Sequence, residues 1–195
     1  TVIAQDYRLV TRPWPALSGV VRLNHHEYDN ETPQHTFTGQ VRMDQAFTAG
    51  RITSRPFGSS QLVAGSDVDW DVVRQAAIGA SYEFRRRHHT FREIEQDEEN
   101  AVAGRVRFRP VREVTWRAEY RHGDRKADGF IIEDYQNASG TLIEQPGLRR
   151  YDVADRKQDH VRTDLGWTPT QRLMLGLSFD WLENDFHRSA LGLQR

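Results

Sequence analysis

The chain has 195 residues, of which 37% are hydrophobic and 28% are charged, and its formal net charge is −1. A charge so close to zero creates no field that would attract nucleic acid, so we expect no nucleic-acid partner. The absence of cysteine excludes disulfides, thiolate metal sites and covalently attached haem on this chain. No apolar run approaches the roughly 20 residues of a membrane helix, whereas a membrane-crossing strand needs only about 9 to 11.

A proline-centred hairpin recurs three times along the chain. Counted forward from Pro13, Pro110 and Pro169, every second position from the fourth to the twelfth belongs to a mainly apolar stripe. In that order the stripes consist of Leu17, Gly19, Val21, Leu23 and His25; Val114, Trp116, Ala118, Tyr120 and His122; and Leu173, Leu175, Leu177, Phe179 and Trp181. A period of two is typical of a strand with one apolar face. Because proline fixes φ and donates no ladder hydrogen bond, the last hairpin is expected to turn at residues 168–171.

Residues 69–110 predict a further long hairpin. Apolar side chains alternate from Trp70 to Phe84, although Arg74 interrupts them. We expect the turn of this hairpin at residues 97–100, which read DEEN.

Opposite charges lie on either side of that expected turn. The run RRRHH at residues 85–89 precedes the acidic run REIEQDEEN at residues 92–100. We expect the two runs to pair across the hairpin. The acidic run is interpreted as a solvated hairpin tip, with docking of a basic partner surface as the alternative. A helix through Phe91 and Ile94 is the competing interpretation of this segment.

Two segments, about residues 30–66 and 123–156, are rich in Gly, Asn, Asp and Pro and predict long loops. Each is expected to hold one short strand, around residues 37–41 and 130–134. The whole pattern predicts an all-β fold, an antiparallel meander of long hairpins with about six to eight strands. We expect a single β domain over residues 1–195, either an open sheet derived from a barrel or a small barrel.

The sequence carries no recognisable catalytic or metal-binding motif. The adjacent histidines at 25–26 and 88–89 point to opposite faces of their strands, so neither pair easily shares a metal ion. Asp67, Asp69 and Asp71 alternate sparsely, but the Gly and Glu of an EF-hand loop are missing. No nucleophile or phosphate-loop motif occurs. We therefore expect a non-enzymatic protein with no catalytic residues, no metal and no cofactor on this chain.

Large apolar side chains in the C-terminal half form the candidate interaction surface. Aromatic rings with a polar edge favour membrane and protein interfaces, although a soluble core is the alternative that the residues leave open. The candidate interface residues are Trp116, Tyr120, Trp167, Leu175, Leu177, Phe179 and Trp181.

Three stretches resemble one known family. Residues 12–33 and 79–125 share its strand pattern, and the strongest resemblance lies in residues 148–194, which contain an ADR lead-in, a proline hairpin and a closing S-x-x-G-L-Q. In these stretches the chain resembles the MtrB/PioB family of outer-membrane β-barrels that accompany multihaem cytochromes. The resemblance implies a passive sheath around a cytochrome, with haem or pigments held by partners. The family includes members from phototrophic iron oxidisers.

Two features separate the chain from that family. Its barrels are several times longer, and Arg74, His25 and His122 fall in the apolar register, where a charge facing lipid would cost about 2 to 4 kcal/mol for Arg. The chain is therefore interpreted as a fragment, a small barrel or a shortened relative, and we favour the last. It would be a scaffold subunit at the periplasmic face of a Gram-negative membrane complex, binding a multihaem cytochrome or reaction-centre proteins. The alternative is an integral outer-membrane barrel that sheathes a multihaem cytochrome.

Overall fold

A computed structural model describes residues 1–42, 45–90, 94–129 and 154–187, with only the backbone within 37–52. This part of the chain contains no helix of the length and apolarity that cross a bilayer. The strands are β1 (Val2–Trp14), β2 (Leu17–Tyr28), β3 (Thr36–Arg42), β4 (Gln45–Thr53), β5 (Ser59–Val73), β6 (Ala76–His89), β7 (Gln96–Phe108), β8 (Val114–Asp128), β9 (Asp155–Thr170) and β10 (Leu173–His187).

Eight of these strands form one antiparallel sheet in the order β1-β2-β5-β6-β7-β8-β9-β10. Strands β3 and β4 pair with each other as a separate hairpin between β2 and β5. In the part of the chain that the structure describes, β1 and β10 each have one neighbour, so the sheet is open. The predicted all-β antiparallel meander with an open sheet is confirmed.

The register places the repeated apolar stripes on one side of the sheet. Residues directly opposite each other in antiparallel strands share a face. One row across seven strands consists of Leu17, Trp70, Ile78, Val106, Ala118, Thr163 and Phe179. The period of two therefore correctly predicts which residues of these strands lie on the apolar face of the sheet.

Pro13 of the first hairpin and Pro169 of the last lie at irregularities of the incoming strand and not in the turn itself. Around Pro13 and Pro169 the register shifts, and the turns follow at residues 15–16 and 171–172. A proline disrupts the ladder least at a bulge, since its missing N–H leaves no bond unmade there. The turn expected at 168–171 is thus displaced toward the C-terminus.

The expected turn at residues 97–100 is wrong, because those residues lie in β7. Cross-strand charge pairing explains their extended conformation: each arginine of β6 lies opposite an acid of β7. The opposed pairs are Arg85 with Glu99, Arg86 with Glu98, and Arg87 with Asp97. The predicted pairing of the two charged runs is confirmed. Ile94 lies outside any helix, and Phe91 lies outside the described residues.

The strands extend farther into the predicted long loops than the sequence indicated. Strand β5 begins at Ser59, β8 continues to Asp128 and β9 begins at Asp155. Gly65, Gly123, Asp124 and Asp128, which fall within the predicted loops, are paired in these strands. The short strand expected at 37–41 is part of β3, whereas the one expected at 130–134 lies outside the described residues. The single domain over 1–195 stays a prediction.

Burial is concentrated where the strands leave the sheet near residues 94–99, 125–127 and 154–155, here called the loop end. There Ile94 packs with Ala127, and the Arg125 guanidinium donates to the carbonyl oxygen of Ala154 at 2.8 Å. The buried polar residues are Asp97, Glu99, Arg125 and Asp155. Their charges are compensated by one another and by neighbouring arginines, as buried ionic groups require.

Asp97 is the most enclosed of these acids, with 1% of its surface exposed. Its carboxylate accepts hydrogen bonds from Arg87 Nε at 3.0 Å and lies 3.3 Å from His89 Nε2. Burial alone would raise the pKa of Asp97, but the contacts with His89 and Arg87 outweigh it and hold the pKa below its ordinary value.

This arrangement predicts a pH dependence of stability. A depressed folded-state pKa stabilises the fold fully above the ordinary carboxyl pKa of about 3.9, and the stabilisation is lost as pH falls through the lower value. Urea unfolding of the full chain in detergent should therefore show a midpoint that falls between pH 5 and pH 2. Asp97→Asn should flatten this fall, whereas Asp128→Asn, at an exposed position, should leave it unchanged. An equal effect of both variants would contradict the assignment to Asp97.

Candidate functional site

The candidate interface residues all lie on the apolar side of the sheet, here called the outer face. Strands β8, β9 and β10 carry them side by side, and they are between 39% and 69% exposed. No second layer of structure covers them within the described residues. The set comprises Trp116, Tyr120, Trp167, Leu175, Leu177, Phe179 and Trp181. The residues selected from the sequence are therefore neighbours in the structure. Which surroundings they contact stays a prediction.

Two rows of aromatic residues border the apolar part of the outer face. The lower row, beside the short turns, consists of Trp14, Trp70, Phe108, Trp116 and Trp167. The upper row, toward the loop end, consists of Tyr7, Tyr82, Phe84, Tyr120 and Trp181. On β10 the apolar stripe runs from Leu173 to Trp181, which is about 26 Å along a strand. The nine residues from Leu173 to Trp181 match the roughly 9 to 11 residues with which a tilted strand crosses a bilayer, and aromatic girdles flank the apolar band of outer-membrane barrels.

Two polar side chains within the apolar band, Trp116 and Thr163, are satisfied by neighbouring strands. The indole N–H of Trp116 donates to Thr163 Oγ1 at 2.8 Å, and that hydroxyl donates to the carbonyl oxygen of Arg117 at 3.1 Å. An unpaired donor in an apolar environment costs several kcal/mol, as a rough estimate. These bonds therefore suit the outer face to a medium without water.

The outer face becomes polar directly above the upper row. Tyr120 donates to Asp159 at 2.6 Å, and His122 Nδ1 lies 2.8 Å from the same carboxylate oxygen. His25 lies at the corresponding end of β2, near Glu27. Arg74 lies in the turn between β5 and β6. The expectation that these three charged or titratable residues interrupt the apolar band is therefore wrong, since all of them lie beyond its edges.

The opposite side of the sheet, here called the inner face, carries a lattice of ion pairs. Four arginines reach across an intervening strand to an acid two strands away. The distances are 3.3 Å from Arg105 to Asp69, 3.1 Å from Arg107 to Asp71, 3.4 Å from Arg121 to Glu83, and 3.2 Å from Arg156 to Glu99. Asp67 joins the lattice through Arg22 at 2.5 Å and Arg105 at 3.2 Å. The three aspartates considered as calcium ligands thus accept bonds from arginines.

Small residues on the intervening strand leave room for two of these long-range pairs, whereas between Arg156 and Glu99 the intervening residue is Arg125. Gly79 of β6 lies between Asp69 and Arg105 in one row of the inner face. A Cβ atom at Gly79 would collide with Asp69 Oδ1 and would lie 3.0 Å from Arg105 Nε. Ala77 lies in the same way between Asp71 and Arg107. The sequence signal for the lattice was therefore a small residue opposite an acid and an arginine, and the sequence analysis missed it.

The inner face is concave. Side chains from β1 to β9, including Arg12 and Arg162, line one shared cavity of about 610 Å³. Arg117 also lines it, is exposed, and forms no ion pair with another described residue. The cavity is thus a broad polar trough in which most charges are paired within the sheet.

The comparisons with known proteins match this two-sided wall. The family model described as "Putative outer membrane beta-barrel porin, MtrB/PioB" matches residues 1–195. The chain belongs to the MtrB/PioB family. Membership confirms the resemblance found in the sequence and places the MtrB/PioB chain at the outer membrane of the Gram-negative cell envelope.

Two individual proteins are similar to this MtrB/PioB chain. It is 23% identical over 194 residues to "Outer membrane protein MtrB" of Shewanella baltica (strain OS185), covering 98% of the chain and 27% of that relative. The chain thus spans about a quarter of the relative's length. A solved structure, "Outer-membrane expressed OmpT of Vibrio cholerae", aligns with a TM-score of 0.59 at 9% identity over 95% of this chain and 47% of that one. At that identity the likeness concerns the fold alone.

The two glycines of neighbouring strands provide a matched test of the MtrB/PioB inner-face lattice. Gly79→Ala would displace the Arg105–Asp69 pair, whereas a Cβ at Gly104, on the outer face, meets nothing within 4 Å. Alanine in a strand gains about 0.5 to 1 kcal/mol over glycine, and an exposed ion pair contributes about 0 to 1 kcal/mol. We expect Gly104→Ala to raise the free energy of unfolding of the full chain, measured in denaturant. The free energy of unfolding of Gly79→Ala should be about 1 kcal/mol lower than that of Gly104→Ala. Equal stability of the two variants would contradict the role of Gly79.

Proposed function

We propose that this chain forms part of the wall of an outer-membrane β-barrel and acts as a non-enzymatic sheath for an electron-transfer partner, a multihaem cytochrome. The outer face would contact lipid, and the inner face would enclose the partner. The observation that carries the proposal is the separation of apolar and charged residues onto opposite faces of one uncovered sheet. Belonging to the MtrB/PioB family supports the same assignment.

The length and position of the apolar band support lipid as the medium on the outer face. The band is exposed, is bordered by aromatic rows, and pairs the indole N–H of Trp116 with Thr163 inside the sheet. A soluble scaffold would need a second layer or a large partner over this entire face. A bilayer covers it without specific side-chain contacts, since transmembrane barrels need only an apolar exterior.

The inner face suits a protein partner better than a catalytic role. Five of its carboxylates are paired with arginines, which leaves them as hydrogen-bond acceptors already in use: Asp67, Asp69, Asp71, Glu83 and Glu99. A polar, concave and nearly neutralised wall can surround another protein without a large desolvation cost for any single charge. The barrel would supply shape and insulation, and the partner would carry the haem.

Adjacent residues on β10 test the assignment of the two faces. Leu177 lies mid-band on the outer face, and Ser178 lies on the inner face. In the full-length protein, Leu177→Arg should destabilise the membrane-inserted state by about 2 to 4 kcal/mol, the cost of a charge near the bilayer midplane. Ser178→Arg should change it by less than about 1 kcal/mol, because that side chain meets a polar interior.

The measurement is heat-modifiable gel migration and urea unfolding in phosphatidylcholine vesicles, with outer-membrane fractionation of cells as a second readout. Retention of both variants in the inserted state would contradict a lipid-facing outer face. Release of the unaltered protein from membranes by sodium carbonate would instead favour the extrinsic scaffold subunit.

Substitution of Arg117 tests whether the inner face contacts a cytochrome. It is exposed on the inner face without an ion pair to another described residue, so it is available to a partner's carboxylates. Arg117→Glu should reduce the haem absorbance that copurifies with the full-length barrel severalfold, and Arg117→Lys should retain it. The amount of barrel in the outer membrane serves as the control. Unchanged haem in an inserted Arg117→Glu barrel would contradict contact between this face and a cytochrome.

A further inference from the structure

The short turns at the lower edge of the sheet are rich in arginine. Within the four turns that the structure describes between β1 and β2, β5 and β6, β7 and β8, and β9 and β10, the charged residues are Arg74, Arg109, Arg112, Glu113 and Arg172. At the loop end, by contrast, the acids of β7 lie opposite arginines of β6, so that charges of both signs are present there. The wall therefore carries a basic lower rim.

Three of the rim arginines converge on one cleft. The turn at residues 74–75 and the turn at 109–113 line a cavity of about 430 Å³. Its lining residues are Arg74, Gln75, Arg109, Pro110, Val111 and Arg112, and they include no acid. Glu113, the nearest acid in the sequence, is exposed and does not line the cleft.

Hydrogen bonds fix the frame of the cleft and leave two guanidinium groups unpaired. The Arg109 backbone N–H donates to the Gln75 carbonyl oxygen at 2.7 Å, which ties the two turns together. The Arg109 side chain donates to the Arg112 carbonyl oxygen at 2.9 Å. Arg74 and Arg112 are exposed and form no ion pair with another described residue. The exposed guanidinium groups of Arg74 and Arg112 therefore lie beside Arg109, whose position is fixed by hydrogen bonds.

The surroundings of the cleft point to a ligand that is both anionic and apolar. Val73 and Val111 flank the arginines and are more than half exposed. Phe108 and Trp116 of the lower aromatic row lie immediately above, at the level where aromatic rings meet lipid headgroups in membrane barrels. Guanidinium groups bind phosphate oxygens with strong, charge-assisted hydrogen bonds. A patch of acidic residues on a protein would use the arginines but not the exposed valines.

We propose that this cleft binds the phosphate headgroup of an anionic phospholipid in the leaflet at the turn end of the wall. The inference rests on the proposed function, because only a membrane-inserted wall brings the lower row to headgroup depth. Arg74 and Arg112 would contact the phosphate, and Val73 and Val111 would contact the glycerol and upper acyl region. Arg109 would position the turn that carries Arg112.

The test uses the full-length protein in phosphatidylcholine vesicles that contain a small fraction of phosphatidylglycerol. The readout is the phosphatidylglycerol retained per barrel after extraction into mild detergent, measured by native mass spectrometry as a function of lipid fraction. Each basic residue near an anionic surface contributes roughly a fivefold change in affinity. We expect Arg74→Gln and Arg112→Gln to weaken retention about fivefold each, and the double variant about 25-fold.

The matched control is Arg172→Gln, which removes a rim charge outside the cleft and should change retention by less than about twofold. Equal losses from Arg172→Gln and Arg112→Gln would overturn the cleft in favour of general rim charge. Displacement of the lipid by millimolar inorganic phosphate would overturn a lipid source in favour of the free anion.

Two further outcomes separate this inference from the proposed function. A barrel that inserts but shows no preference for phosphatidylglycerol overturns the lipid site and leaves the wall intact, whereas failure to insert overturns the wall itself. A double variant that keeps its lipid but loses a copurifying acidic protein would overturn the lipid site in favour of protein docking at the rim.

Discussion

One constraint governs this molecule: its sheet is a single layer, with backbone groups paired along eight strands and an apolar face that nothing in the described chain covers. Elsewhere in proteins such a face is buried by a second sheet or by helices. Here most of the few buried apolar residues, such as Ile94 and Ala127, lie at the loop end and do not form a core beneath the strands. The burial that stabilises the apolar face must therefore come from its surroundings, and this requirement links the fold to the outer membrane.

The two faces satisfy their polar groups in different ways. On the outer face, the polar groups of Trp116 and Thr163 bond to an adjacent strand and so are not left unpaired within the apolar band. On the inner face, arginines of one strand reach acids two strands away, because glycine or alanine leaves room above the strand between them. The same period of two produces both patterns, since consecutive side chains of a strand lie alternately on the apolar outer face and the polar inner face.

The features that depend on alternation along one strand could be predicted from the sequence. The features that depend on which residues lie opposite each other on different strands could not. Stripes counted from Pro13, Pro110 and Pro169 correctly predicted strands and their shared face, whereas the family was indicated by resemblance, most strongly in residues 148–194. The turn at 97–100 was wrong because local polarity suggested a tip, whereas pairing with Arg85 to Arg87 keeps those acids extended. Arg74 seemed to interrupt the band because counting by two cannot register a turn. Contacts such as Arg105 with Asp69 involve residues 36 positions apart and require the register to be known.

The ion pairs that skip a strand also cross-link the sheet. Strands two places apart are separated by about 10 Å, a distance that an extended arginine and a carboxylate can span. Each such pair, for example Arg121 with Glu83, joins two strands that share no backbone hydrogen bond. Separating two neighbouring strands there would therefore break side-chain ion pairs as well as the backbone ladder.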